Sequence, residues 1–73
     1  MQPMTAGTVY AGAVAAEIRA RAAAVQISQR EIATALNLGE SAVSRRYRGV
    51  HPWSLTEIGE LAVLLSCEPS DLT

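Results

Sequence analysis

The chain has 73 residues, is 49% hydrophobic and carries a formal charge of −1. That length allows one domain, and below about 80 residues a single core rarely supplies more than a few kcal/mol, so a dimer partner or ligand is an expected source of added stability. One cysteine, Cys67, excludes an internal disulfide framework and fits a reducing compartment. Nothing approaches the roughly 18 uninterrupted apolar residues of a membrane span, and the N-terminus lacks the basic stretch of a signal peptide, so a soluble cytoplasmic domain is expected.

Charge is distributed unevenly. All six arginines lie between Arg19 and Arg48, against Glu31 and Glu40 only, whereas Glu57, Glu60, Glu68 and Asp71 follow Gly49 with no basic residue among them. The near-zero total therefore hides a polarised molecule, and local field matters more than net charge for meeting a polyanion. Three of the arginines fall within Arg45-Arg-Tyr-Arg48.

Met1 to Gly7 carries Pro3 and Gly7 without periodicity and reads as a flexible arm preceding a domain over residues 8–73. Tyr10, Val14 and Ile18 then recur every four residues, with Val25 further along the stripe, which predicts a first helix from about Val9 to Ala24. Ile27-Ser-Gln-Arg-Glu-Ile32 and Trp53-Ser-Leu-Thr-Glu-Ile58 share one pattern. In each, the serine caps the third amide, the glutamate reaches back, and the flanking apolar residues form a staple. Helices are expected to begin at Ser28 and Ser54.

The helix from Ser28 buries Ile32, Ala33 and Leu36 and ends near Asn37, a residue that tolerates the left-handed cap. After Gly39 a further helix is expected over Glu40 to Arg48, with Val43 and Tyr47 inward and Gly49 ending it. Pro52 keeps His51 extended, and Leu55, Ile58, Leu61, Ala62 and Leu65 define the inner face of a fourth helix. Trp53 is expected in the core as a staple residue and Cys67 as a small core hydrophobe. Glu68-Pro69 opens a short fifth helix. No segment reads as a strand.

Two short helices joined by Asn37-Leu38-Gly39 have the connection length of a helix-turn-helix. The chain from Ile27 to Leu72 resembles the Cro and phage-repressor (lambda-repressor-like) helix-turn-helix family. Ser28, Gln29, Glu31, Ile32, Ala33 and Leu36 carry the resemblance, with Val43, Ser44, Arg45, Arg48 and Gly49, then Ser54-Leu55 and the ending Leu-Ser-Cys-Glu-Pro-Ser-Asp-Leu. It implies an all-α, compact four- to five-helix bundle whose motif spans about 28–48. It also implies a sequence-specific regulator of transcription, of the phage or mobile-element repressor kind, inserting the helix 40–48 into the major groove of operator DNA in a bacterial or phage-infected cell. Glu40, Ser41, Ser44 and Arg45 are the expected base contacts, Arg45 first among them because a guanidinium bonds guanine O6 and N7 together. Gln29, Arg46 and Arg48 are the expected phosphate contacts. Glu40 stands where the family often carries Gln or Arg, and Gly39 where it carries a hydroxyl cap. Pairing into a homodimer would raise affinity, and RNA polymerase is a further candidate partner for the acidic fourth helix.

An enzyme is not expected. Gly7 and Gly12 have P-loop spacing, but Ala13 follows where lysine is needed and the chain has no lysine. One histidine and one cysteine do not make a four-ligand zinc site, and no cofactor or metal is expected. The alternative is a protein-interaction module built on the same helices, as in an antitoxin or polymerase-contacting scaffold.

Overall fold

The computed structural model describes residues 5–73, and among these there is no strand. Five helices follow one another: α1 (Ala6–Ala24), α2 (Gln29–Leu36), α3 (Glu40–Tyr47), α4 (Leu55–Leu64) and α5 (Pro69–Leu72). They pack α2 on α3 and α4, α1 on α3 and α5, and α4 on α5, within 34 × 25 × 21 Å.

Both capping boxes form. Ser28 Oγ accepts from the Glu31 amide at 3.1 Å while Glu31 Oε1 accepts from the Ser28 amide at 3.2 Å. Ser54 and Glu57 repeat the arrangement at 3.1 and 2.9 Å. The staple residues behave accordingly: Ile32, Trp53 and Ile58 are buried, and Ile27 packs against the core from its edge.

α1 starts three residues earlier than its periodicity suggested. Thr5 caps it, its hydroxyl accepting from the Thr8 amide at 3.1 Å, so Ala6 and Gly7 are helical; the rest of the expected arm, residues 1–4, lies outside the described residues. The stripe on α1 is shorter than expected. Val14, Ala15, Ile18 and Ala22 are buried, but Tyr10 is 56% exposed and Val25 is exposed as well. The first two turns line open clefts against the α3–α4 connection and bury none of their large side chains, and at the other end Ile27 turns back onto the core where Val25 was expected.

Four helices end the same way. The residue one or two positions past the helix takes the left-handed conformation at Gln26, Asn37, Gly49 and Ser66. In each case the next amide donates back across the turn: Ile27 to the Ala22 carbonyl, Leu38 to Ala33, Val50 to Arg45 and Cys67 to Ala62, all at 2.9 Å. These are Schellman closures, in which orphan carbonyls are satisfied and an apolar residue is turned inward. Ile27, Leu38 and Cys67 pack against the core; Val50 stays exposed.

The core is built from all five helices: Ile18, Ile32, Val43, Leu61 and Leu72 are its largest fully buried side chains. Four of the five apolar residues expected on the inner face of α4 are there. Leu55 is the exception, at 85% exposure. Helical side chains lean toward the N-terminus, so a residue in the first turn overhangs the helix end, and Trp53 already fills the space beneath. The Trp53 indole Nε1 is buried among the described residues without a hydrogen-bond acceptor.

Candidate nucleic-acid interface

The turn between α2 and α3 fixes their relation before any surface residue matters. Asn37 adopts φ 56°, ψ 47°, the Leu38 side chain lodges against the core, and Gly39 precedes α3 without a side-chain cap. α2 packs on α3, and Ala33 and Val43 are buried in the shared core.

Each helical residue turns roughly 100° about the axis. Measured from Val43, which is fully buried, Ser41, Arg45 and Arg48 fall on the opposite side of α3, and all three are exposed. Ser44 lies between that side and the core and is half-buried. Glu40 at the start of α3 and Gln29 at the start of α2 are also exposed. Tyr47 is half-buried against the core, and its backbone carbonyl accepts from Arg19 Nη1 of α1 at 2.7 Å.

Arg46 lies apart from the other expected contacts. One position beyond Arg45, it is rotated onto the flank facing α4, where its Nε donates to Glu57 Oε1 at 3.1 Å and Nη1 to the Ala42 carbonyl at 3.1 Å. Both side chains of that pair are only 15% exposed. Its placement is that of a strut between α3 and α4 and not of an outward clamp. The same pair withdraws Glu57 from the acidic surface of α4, leaving Glu60 exposed. Burial pushes the Glu57 carboxyl up, but donation from the Ser54 amide and the Arg46 guanidinium outweighs it and holds the group below its usual range.

Three arginines are thus neutralised locally: Arg46 by Glu57, Arg21 by Glu17 on the same helix at 2.9 Å, and Arg30 by Glu40 at 2.9 Å. Arg19 is occupied with a carbonyl. Among the described residues Arg45 and Arg48 have no carboxylate partner; Arg48 Nε reaches only the Ser44 carbonyl, at 3.3 Å. The positive field of the outward face of α3 therefore rests on these two.

Sequence reasoning missed Arg30 and Arg19. Both act across elements, and nothing in local periodicity marks a partner ten or 28 positions away. A second surface feature is a small cleft of about 190 Å³ beside Tyr10, Pro52, Trp53, Leu55 and Ile58. Among the described residues no group of three potential ligands is placed for a metal, and no helix is long and apolar enough to cross a membrane.

No family model matches the chain, and no curated protein or solved structure matches it.

Proposed function

We propose that the protein is a sequence-specific double-stranded DNA-binding regulator of transcription, of the phage or mobile-element repressor kind, with α2 and α3 as a helix-turn-helix and α3 as the helix that enters the major groove. The observation that carries this reading is the disposition of Arg45 and Arg48: exposed, opposite buried Val43, and free of carboxylate partners among the described residues. A groove-entering helix needs a rigid inner face and a polar outer one, and α3 has both. Ser41, Ser44, Arg45 and Glu40 are the base-reading candidates, Arg45 pairing with guanine. Gln29 and Arg48 are the candidates for phosphate. Arg46, tied to Glu57, supports the geometry of α3 from behind.

With few uncompensated cations on one domain, binding as a pair of copies on half-sites about 34 Å apart is the expected arrangement. Selection of preferred duplexes from a random pool tests the reading in one step. An enriched motif repeated at one-turn spacing is the expected result, and a pool that stays random at low salt would rule the reading out.

The second reading is a protein-interaction module. The exposed Leu55 and the adjoining cleft beside Trp53 favour it, since an apolar residue at a groove rim is an ordinary anchor point for a partner. Duplex binding that is absent or insensitive to salt would leave that reading standing.

A further inference from the structure

The Arg30–Glu40 pair is the contact that stability explains least. Arg30 Nε donates to Glu40 Oε1 at 2.9 Å, with the two side chains 82% and 61% exposed. Exposed pairs contribute little to folding. The helices that carry it are already fixed by Ile32, Ala33, Leu36 and Val43, all buried, and by the Leu38-to-Ala33 closure. The other ion pairs among the described residues have structural settings: Arg21–Glu17 lies along a single helix, and Arg46–Glu57 is largely buried within a capping box. Among the ion pairs of the described residues, Arg30–Glu40 alone bridges α2 to α3 on their solvent side.

Its location joins it to the surface proposed above. Glu40 is the first residue of α3, and Arg30 follows Gln29 at the start of α2. A bare carboxylate there would be repelled by phosphates. Held by Arg30, it carries a compensating charge at its side, and the helix start also favours an anion. The bond to Nε engages Oε1 and leaves Oε2 with its acceptor capacity. A carboxylate only accepts, and the base edge in the major groove that suits it is the cytosine N4 amine.

Resting on the DNA-binding reading, we infer that Arg30 is a positioning residue for base recognition: it holds the Glu40 carboxylate so that Glu40 selects cytosine at one position of the site. Arg30 touches no base in this scheme; it acts through Glu40.

The test compares selected duplex pools for the wild type, Arg30→Ala, Glu40→Gln and the double variant, with Arg45→Ala as a reference and thermal melts as a check of folding. The expected result is a preference for cytosine at one position in the wild type. Arg30→Ala and Glu40→Gln should each reduce that preference, on the order of tenfold, without changing the position read by Arg45, and the double variant should lose no more than either single one. Arg30→Lys, which keeps the charge but not the Nε geometry, should lose the cytosine preference as Arg30→Ala does. Three results would overturn the inference: an unchanged preference in Arg30→Ala, a uniform loss on all sequences in that variant (a phosphate contact), or tighter binding to every duplex in Glu40→Gln (simple repulsion). A wild type that binds no duplex would instead remove the parent reading, and this one with it.

Discussion

Arg46 and Glu57 meet at 3.1 Å across the α3–α4 boundary, and the same Glu57 oxygen accepts from the Ser54 amide that begins α4. One carboxylate thus closes a helix end and braces the neighbouring helix. Replacing Glu57 with Ala removes the reciprocal cap bond and leaves a mostly buried guanidinium without its partner, which should cost roughly 2 kcal/mol in urea denaturation at neutral pH. Arg46→Ala should cost about 1–2 kcal/mol by the same measurement.

The pair also sets an acid response. Because the folded pKa of Glu57 lies below its usual value, its contribution is complete above the ordinary glutamate range and disappears as pH falls through the lowered value. Unfolding free energies measured from pH 7 down to pH 3 should fall less steeply for Glu57→Gln than for the wild type. Equal slopes would show that the carboxylate is not held as described.

Arg45 and Arg48 share a face but not a role in the proposed complex. Arg45→Ala should relax base choice at one position, with a loss of about 1–3 kcal/mol on the best site. Arg48→Ala should weaken all duplexes about equally and lower the slope of log K against log salt by about 1. Titrations at several salt concentrations on a preferred and a scrambled duplex separate the two.

The left-handed residues offer a stability test independent of function. Gln26 and Ser66 adopt φ near 59° and 55° with exposed side chains that make no hydrogen bond among the described residues. Glycine at either position should stabilise the protein by somewhat under 1 kcal/mol, because relief of the steric penalty exceeds the added entropy of the unfolded chain. Gly49 is the converse. A Cβ there would sit 3.8 Å from Ala15 Cβ, an ordinary contact, so its φ of 80° and not crowding demands glycine. Gly49→Ala should cost about 1 kcal/mol by thermal melting.

Leu55 and Ile58 share the α4 stripe by spacing yet differ in placement. Leu55→Ser should change stability by less than about 0.5 kcal/mol, whereas Ile58→Ala, at a buried position, should cost about 2–5 kcal/mol.

These residues also mark what could be read in advance. The starts of α2 and α4 were legible because a capping box is written within four consecutive residues. The end of α2 was legible through Asn37, but the left-handed turns at Gln26 and Ser66 carry neither Gly nor Asn. There the conformation follows from burying the next residue, Ile27 or Cys67, which local propensity does not report. The same limit explains Tyr10 and Leu55, whose spacing suits a core face but which line an open cleft around Trp53. In the candidate interface, the outward side of α3 followed from Val43 and rotation alone. The diversion of Arg46 to Glu57, and the Arg30–Glu40 bridge, needed the helices assembled.

Arg19 reaches from α1 to the last carbonyl of α3, at Tyr47, while the Asn37 turn anchors the other end. The outward arginines are therefore mounted on a segment already held in shape. Any partner docking there would find its counterpart preformed, so association would proceed with little folding on contact, and its heat-capacity change would reflect only the apolar area covered.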